Sequence, residues 1–162
     1  MIIINTEVMF SSKTDQWSTP QNFYDKLNEE FHFTLDPCAD EFNHKCDKYY
    51  TESDNGLKQD WSGETVFVNP PYGRAIKDWV QKSYEESQKD NTKVIMLIPA
   101  RTDTKYQHEY IFKYANYICF IKGRLKFGNS TASAPFPSQI VVFGNYDEIH
   151  KLSNIGYWIK LR

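Results

Sequence analysis

The chain has 162 residues, 40% of them apolar and 16% aromatic, which predicts one folded domain with a single core and excludes a disordered chain. Its net charge of -2 argues against a strongly basic nucleic-acid-binding module, and its three cysteines are an odd, sparse set, as expected in a reducing cytosol. The apolar run Ile2-Ile3-Ile4 has no basic region before it and no long apolar segment after it, so we expect neither a signal peptide nor a membrane span.

The first predicted element is a helix. Residues 1–18 have no clear periodicity and are expected to form an extended arm. Thr19 and Pro20 are residue types that favour the N-cap and the first helical position. Apolar residues then recur at four-residue spacing, which predicts an amphipathic helix over residues 20–31. Trp17, just before it, is either a hydrophobic staple or an aromatic wall for a ligand.

Two polar turns follow this helix. The β-type run 31–35 leads into Asp36-Pro37-Cys38-Ala39, which is typical of an Asx turn or of a strand end that presents an anion to a cationic ligand. A short strand is expected at 49–51 and a turn at 54–56, and Asp60-Trp61 closes the polar segment.

Cysteines and histidines in this region raise the question of a metal site. Their spacing matches no usual zinc pattern, so we expect no metal. The residues concerned are His32, Cys38, His44 and Cys46.

The central stretch of the chain is a strand that ends in Asn69-Pro70-Pro71-Tyr72. The β-branched run 66–68 predicts a buried strand, and the two prolines cannot continue a ladder because they lack an N–H. Asn69 should therefore lie at the carboxyl end of a strand with its carboxamide pointing outward, beside the rigid carbonyl of Pro70. Ligands bind at this edge of open α/β sheets.

Two fixed acceptors beside an aromatic ring suit a planar heterocycle with an exocyclic amine. The ring would stack on Tyr72, and the amine would donate to the Asn69 side chain and to the Pro70 carbonyl. Both hydrogen bonds would push electron density onto the nitrogen and favour its attack on an electrophile. The plainer alternative is that Asn69 and the prolines only end a strand, since short motifs have many false positives.

The second half alternates helices and strands. A helix is expected near 75–89, and a second helix is expected after a cap at Thr102 or Asp103. Strands are expected at 93–98, 117–121, 139–143 and around Trp158-Ile159, with a loop from 128 to 137. The order predicts an α/β fold with helices on both faces of a compact mixed sheet, in which a strand near the C-terminus is antiparallel.

Charge is divided unevenly along the chain. Residues 1–60 contain five lysines and arginines against twelve acidic residues, whereas residues 61–162 contain fourteen against nine. The basic second part could face phosphates while the acidic first part faces elsewhere. Ordinary scatter of surface charge is the alternative.

Six blocks in register resemble the phage-type DNA N-6-adenine methyltransferases (Dam-like), small enzymes that use S-adenosylmethionine (SAM). The resemblance spans roughly residues 15–144. The sequence departs from other SAM enzymes because no Gly-x-Gly follows Asp36, and the stretch to Tyr49 is too short for the usual helix. The blocks are Asp15-Gln16-Trp17-Ser18-Thr19-Pro20, Leu35-Asp36-Pro37-Cys38-Ala39, Asp60-Trp61, Asn69-Pro70-Pro71-Tyr72, Pro99-Ala100-Arg101-Thr102-Asp103-Thr104 and Gly123-Arg124-Leu125-Lys126-Phe127-Gly128.

The resemblance implies a Rossmann-like SAM-dependent methyltransferase fold in which residues 1–162 are one catalytic domain. The implied catalytic residues are Asn69, Pro70, Pro71 and Tyr72. The implied cofactor-binding residues are Trp17, Thr19, Pro20, Asp36, Pro37, Cys38, Ala39, Asp60 and Asn69. The implied target-binding residues are Arg101, Thr102, Asp103, Arg124, Lys126 and Phe127.

Several of these residues have plainer alternatives. Asp36 and Asp60 also suit turns or N-caps, and the basic side chains also suit a solvated surface. Phe127 suits the core as well as it suits base stacking.

The resemblance further implies an activity and its partners. A methyl group would pass from SAM, without a metal, to N6 of an adenine flipped out of double-stranded DNA, leaving S-adenosylhomocysteine. Recognition of the flanking bases would come from residues 100–110 and 122–138 or from a second subunit, which leaves a homodimer open. The expected location is the cytoplasm of a bacterial host, as a phage or prophage protein.

Other functions are compatible with the central motif. A glutamine amide in a protein and an amine of an RNA base are also planar NH2 groups, although enzymes for them usually have a Gly-rich motif and extra domains. Enzymes that methylate cytosine N4 more often have serine at the position of Asn69. A non-catalytic DNA-binding relative is the remaining alternative, and the intact Asn69-Pro70-Pro71-Tyr72 argues against it.

Overall fold

The computed structural model describes residues 17–128 and 131–162, and over these residues the chain forms one mixed sheet with helices on both faces. Most of the predicted arm at 1–18 lies outside the described residues. The strands are β1 (Leu35–Asp36), β2 (Lys48–Tyr49), β3 (Thr65–Val68), β4 (Lys93–Pro99), β5 (Tyr117–Ile121), β6 (Ser138–Phe143) and β7 (Gly156–Lys160).

The predicted cap at Thr102 or Asp103 is wrong, because Thr104 Oγ1 accepts from the Gln107 N–H (3.4 Å) and so caps the helix that follows. The described helices otherwise agree closely with the predicted ones. They are α1 (Gln21–Phe31), α2 (Ile76–Ser87) and a π-helical segment (Gln107–Ile111) that continues as α3 (Phe112–Tyr114), with a 3-10 turn at Gly56–Lys58. The predicted cap of α1 is wrong by one residue, because Pro20 is the N-cap and its carbonyl accepts from the Tyr24 N–H (3.0 Å). The hydroxyl of Thr19 is therefore left for another partner.

The strand order is β2-β1-β3-β4-β6-β5-β7. The first four strands in this order run parallel, whereas β6 is antiparallel to both β4 and β5, and β7 is antiparallel to β5. The α/β class, the helices on both faces and the antiparallel strand near the C-terminus are thus confirmed. The architecture is compatible with a Rossmann-like methyltransferase.

Alternation along β4 shows how the sheet divides the core. Ile95 and Leu97 face the layer that contains α1, and Met96 faces the layer that contains α2. All three side chains are fully buried. A central strand covered on both faces has to be apolar throughout, which is why its run of β-branched and aliphatic residues was so clear in the sequence.

The segment before β1 differs from the prediction. Helix α1 ends at Phe31, as predicted, and His32 caps it in the left-handed conformation (φ 55°), so most of the run 31–35 does not form the expected strand. Only Leu35–Asp36 forms a strand. Between Asp36 and Lys48 the described chain has no helix, in agreement with the short spacing noted in the sequence.

Candidate active site at the carboxyl edge of the sheet

Strands β1 and β3 run parallel and bring Asp36 and Asn69 to the same edge of the sheet. Leu35 pairs with Val66 in the register of these strands, and Asn69 directly follows the last residue of β3. Pro70 is buried behind Asn69, and Pro71 is exposed. The predicted motif thus lies at the carboxyl edge of the parallel strands, the edge at which open α/β sheets generally bind ligands.

The Asn69 carboxamide is held in one orientation. Its Nδ2 donates to the Trp17 carbonyl (2.8 Å) and to the Thr19 hydroxyl oxygen (3.0 Å). A backbone carbonyl can only accept, so the group that faces Trp17 has to be the nitrogen. Asn69 Oδ1 is buried and has no hydrogen-bond partner among the described residues. The site therefore contains a fixed acceptor that the protein itself does not use.

Four aromatic rings from three parts of the chain pack together near this acceptor. They are Trp17, Tyr72, Phe127 and Phe136, which we call the aromatic cluster. Trp17 lies against Tyr72 with ring centroids 6.0 Å apart and planes 28° from parallel. Trp17 thus packs against the other three rings of the aromatic cluster.

The Tyr72 side chain is held in place by a hydrogen bond from its hydroxyl. Its hydroxyl donates to the Leu97 carbonyl (3.3 Å), and burial raises its pKa well above the ordinary value, so the phenol stays neutral. The Tyr72 ring is therefore a rigid flat surface at the end of β4.

Asp36 has both carboxylate oxygens bound to the backbone. Oδ1 accepts from the Cys38 N–H (3.2 Å) and Oδ2 from the Lys45 N–H (2.9 Å). These are the contacts expected of the Asx-turn alternative. Burial raises the pKa of Asp36, because the loss of solvation outweighs the two backbone hydrogen bonds. No ion pair of Asp36 occurs within residues 17–128 and 131–162.

The turn that follows Asp36 is packed tightly. The Ala39 N–H donates to the Tyr50 carbonyl (3.0 Å). Gly56 lies so close to this turn that a Cβ there would meet the Pro37 carbonyl oxygen at 2.3 Å. Burial raises the pKa of the Cys38 thiol well above its ordinary value. Pro37, Cys38 and Ala39 therefore form a rigid wall beside β1.

Asp60 is not brought to this edge. It is exposed, and its Oδ1 accepts from the Ser62 hydroxyl (2.5 Å), from Lys89 Nζ (2.9 Å) and from the Ser62 N–H (3.0 Å), which hold its pKa well below the usual range. Lys89 lies just past the end of α2, on the side where β3 and β4 begin. The structure therefore supports the turn role of Asp60 and separates it from Asn69.

The predicted target-binding residues lie around the aromatic cluster. The Arg101 guanidinium is 5.8 Å from the centre of the Phe136 ring, and Thr102 and Asp103 follow it as exposed residues. Arg124 is exposed, and its Nη1 donates to the Ala134 carbonyl (3.2 Å).

The other two residues of the basic block differ in exposure. Lys126 is exposed, whereas Phe127 is 2% exposed. Phe127 therefore belongs to the core and to the aromatic cluster at once.

Sequence reasoning missed two residues of this edge, Phe136 and Ser138. Both lie in or next to the stretch that was interpreted as a loop, and the signal was an aromatic residue between two prolines, Ala134-Pro135-Phe136-Pro137. Ser138 pairs with Pro99, and its buried hydroxyl has no partner in the described part of the chain. By alternation along β6, Ser138 faces the same layer as Ile140, which is the layer of the aromatic cluster.

Comparison with known proteins identifies the family. The model of the family described as DNA N-6-adenine-methyltransferase (Dam) matches residues 6–148. The chain belongs to this family. The resemblance inferred from the six blocks is confirmed.

Two relatives are similar over parts of the chain. A DNA N-6-adenine-methyltransferase of Escherichia phage T1 is 35% identical over 94 residues, which cover 57% of this chain and 39% of the phage protein. A putative methyltransferase, YfdM, of Escherichia coli K12 is 45% identical over 65 residues, which cover 36% of this chain and 71% of that protein. The match thus spans well under half of the phage relative.

The described residues contain neither a cluster of metal-ligating side chains nor a membrane-spanning helix. Among residues 17–128 and 131–162 no three His, Cys, Asp or Glu side chains are grouped as a metal site would require. Within the same residues, no helix has the length and apolar character needed to cross a bilayer. All three cysteines are free thiols.

Proposed function

We propose that this chain is a SAM-dependent DNA methyltransferase that modifies N6 of adenine. Membership of the Dam family and the likeness to the phage T1 enzyme support the reaction class. The observation that carries the proposal is Asn69 Oδ1, a buried acceptor with no partner in the described residues, at the edge where parallel strands end. A buried acceptor of this kind costs free energy on folding unless a ligand satisfies it.

Asn69 acts on the nitrogen that receives the methyl group. An adenine amine that donates to Asn69 Oδ1 gains electron density and becomes more pyramidal, so its lone pair is more available for attack. The Pro70 carbonyl accepts the second hydrogen of the amine in the same proposal. No general base is needed beforehand, because the nitrogen loses its proton after methylation. Positioning therefore supplies most of the acceleration.

The carboxyl edge suits a cationic cofactor because of Asp36. Asp36 is 5% exposed, and its carboxylate carries no ion pair in the described chain and keeps one free lone pair on each oxygen. An ammonium group placed there would be stabilised, and it would lower the raised pKa of Asp36 in return. When bound, SAM supplies an electrophilic methyl group on sulfur. Trp17, Pro20 and the 37–39 turn would enclose it.

The target adenine has to leave the duplex to reach Asn69. The acceptor is buried and is flanked by the aromatic cluster, so a base still paired in a helix could not approach it. Tyr72 offers the flipped base a rigid stacking surface. Trp17 now packs against Tyr72, so we infer that its indole ring shifts when the base enters.

Basic side chains around the aromatic cluster would hold the DNA backbone. Arg101, Arg124 and Lys126 are all exposed and lie after β4 or between β5 and β6. We propose that they contact phosphates, while recognition of flanking bases comes from residues 100–110 and 122–138 or from a second subunit. The location that fits this activity is the cytoplasm of a bacterial host cell.

Transfer of label from tritiated SAM tests the proposal. Purified protein is incubated with adenine-containing duplex DNA, with RNA and with total protein, and the labelled product is digested and identified. We expect N6-methyladenine in the DNA alone. Label confined to protein or RNA would contradict the DNA assignment, and a binding-only relative would leave all three substrates unlabelled. Asn69→Ala is the control for contaminating methyltransferases.

A further inference from the structure

The segment Trp17-Ser18-Thr19 is unusual because it reaches Asn69 from fifty residues earlier in the chain. Asn69 Nδ2 has two hydrogens, and the structure supplies two acceptors for them, the Trp17 carbonyl oxygen and Thr19 Oγ1. Thr19 is 4% exposed, and it is not the cap of α1. Its buried hydroxyl therefore has a specific partner, and that partner is the side chain that faces the target amine.

This segment is itself anchored on both sides. The Ser18 carbonyl accepts from the Gly128 N–H (2.8 Å), and the Ser18 hydroxyl accepts from Asn43 Nδ2 (2.6 Å). The Trp17 carbonyl and Thr19 Oγ1 are thus presented to Asn69 from a fixed backbone. A pre-set pair of acceptors restricts the carboxamide more than a mobile pair would.

The orientation of the carboxamide decides what it offers to a substrate. In the observed orientation Oδ1 is free to accept from an amine. If the amide were flipped, two oxygens would face each other at the Trp17 carbonyl, and the nitrogen would point outward. An outward NH2 group donates hydrogen bonds, so it could not accept from the target amine. The Trp17 carbonyl can only accept, so it selects the productive orientation, and the Thr19 hydroxyl, which accepts the second hydrogen of Nδ2, holds the carboxamide in that orientation.

We propose that Thr19 is a positioning residue for methyl transfer, whose hydroxyl oxygen holds the Asn69 carboxamide with Oδ1 toward the target amine. This rests on the proposed function of Asn69. It differs from the role that the family resemblance implies for Thr19, which is to contact the cofactor. The two roles separate in experiment, because a positioning residue affects the rate of transfer and a cofactor contact affects the affinity for SAM.

Substitution of Thr19 by valine and by serine tests the proposal. Valine keeps the shape of threonine and removes the hydroxyl, whereas serine keeps the hydroxyl. We expect kcat of Thr19→Val to fall about 30-fold, on the scale of a lost hydrogen bond to a polar group in the site, with the Kd for SAM within about twofold of wild type. Thr19→Ser should restore kcat to within about threefold of wild type.

Thr92→Val is the matched control. Thr92 is equally buried, at 4%, and its hydroxyl also accepts one hydrogen bond, from the Gly63 N–H (2.9 Å), but it lies where β4 begins. We expect Thr92→Val to lose stability without losing kcat. Equal losses of kcat in the two valine variants would show a general effect of the fold and would overturn the proposal. A tenfold weaker Kd for SAM with kcat retained in Thr19→Val would also overturn it.

A second measurement does not depend on activity. The side-chain NH2 of Asn69, observed by nitrogen-15 NMR in the free protein, should be protected from hydrogen exchange. Thr19→Val should lower that protection severalfold, and Thr92→Val should not. If protection is lost as expected while the wild-type protein methylates no DNA, the proposed function fails and the positioning of Asn69 stands. If protection is unchanged in Thr19→Val, the positioning proposal fails whatever the activity.

Discussion

The two ends of β3 differ in whether a buried polar group has hydrogen-bond partners. Beside its amino end, the Glu86 carboxylate is 3% exposed, accepts from the Trp61 N–H (2.6 Å) and pairs with both Lys82 and Lys89. At its carboxyl end, Asn69 Oδ1 is buried with no partner in the described chain. The amino end pairs the buried Glu86 carboxylate, which stabilises the fold. The other leaves an acceptor unsatisfied, as is expected where a ligand supplies the missing donor.

The tryptophans near the two ends of β3, Trp61 and Trp17, differ in how deeply they are buried. Trp61 is fully buried, its Nε1 donates to the Gly56 carbonyl (3.0 Å), and it stacks on Trp79. Trp17 is only partly buried and packs with Tyr72 at the open edge. The amino end is therefore packed as a core, whereas the carboxyl end is where we propose the binding surface. Substitutions at the two ends should affect different measurements.

The largest expected effect is on Asn69. Asn69→Ala should lower the rate of methyl transfer about 1,000-fold, the scale seen when one fixed hydrogen-bonding group that acts on a developing charge is removed. SAM binding should remain largely intact, because Asn69 acts mainly on the target amine. Single-turnover kinetics with duplex DNA measure the rate of methyl transfer, and calorimetry with SAM measures the affinity for the cofactor. A variant that turns over at a near wild-type rate would contradict the role given to Asn69.

Glu86 should show the opposite pattern. Glu86→Ala should cost about 3 kcal/mol of unfolding free energy, since it leaves the buried Trp61 N–H unpaired and removes the anion from two lysines. The kcat per folded molecule should stay the same. Chemical denaturation followed by CD measures the loss of unfolding free energy. Active-site titration gives the concentration of folded enzyme, from which kcat per folded molecule is calculated. Glu64→Gln is the control, because the Lys48–Glu64 pair (2.7 Å) is more exposed and should cost below about 1 kcal/mol.

Acid should weaken the amino end through the same residue. Burial opposes ionisation of Glu86, but the bonds from Lys89, the Trp61 N–H and Lys82 outweigh it and lower its pKa below the ordinary 4.5. Its contribution is therefore fully present above the unfolded-state pKa and is lost as the pH falls through the lower folded-state value. Wild-type stability should drop below about pH 4.5 more steeply than that of Glu86→Gln. Parallel pH dependences would contradict this assignment.

Arg124 should show a moderate effect that appears only with DNA. Removal of one phosphate contact by Arg124→Ala should weaken DNA binding severalfold and reduce the slope of log K against log salt by about 1. The exposed Lys77 on α2 provides the control, Lys77→Ala, with no expected change. Fluorescence anisotropy over a series of salt concentrations measures both. An unchanged slope for Arg124→Ala would leave Arg124 with only its hydrogen bond to the Ala134 carbonyl.

The smallest expected effects concern two buried serine hydroxyls. Ser83 in α2 and Ser138 at the open edge both lack a partner in the described chain. Either serine-to-alanine change should keep or slightly raise the melting temperature, because an unpaired buried hydroxyl costs stability. Only Ser138→Ala should also raise the KM for DNA, by about threefold, since only Ser138 lies beside the aromatic cluster. An equal KM in the two variants would assign both hydroxyls to packing alone.

Most of the helices and strands could be predicted from local sequence patterns. The strands at 93–98, 117–121 and 139–143 and the helices at 20–31 and 75–89 are confirmed within a residue or two. These elements have strong periodicity because they are buried on one or both faces. The π-helical turn at Gln107–Ile111 was not predicted, since the apolar spacing of a π-helix and an α-helix differ little over one turn.

Residues of the candidate site could be predicted from the sequence only where they are adjacent in the chain. Asn69 and Tyr72 were found because four adjacent residues carry the chemistry. The contacts of Thr19 with Asn69 and of Phe136 with Tyr72 join segments far apart in the chain, and residue spacing contains no information about them. Asp60 was placed at the site by resemblance, but its hydrogen bonds to Lys89 and Ser62 place it toward the amino ends of the strands.

The contact between Trp17 and Asn69 also has a consequence for proteolysis and for the order of folding. A protease cut after Thr19 would leave α1 and every described strand intact. The cleaved protein should therefore keep its secondary structure and a melting temperature close to that of the uncut protein. It would nevertheless lose both acceptors that hold the Asn69 amide. During synthesis, this segment has to wait for β3 to emerge before it can dock. Activity is therefore a more sensitive report of an intact amino-terminal segment than far-UV circular dichroism, which measures only secondary structure.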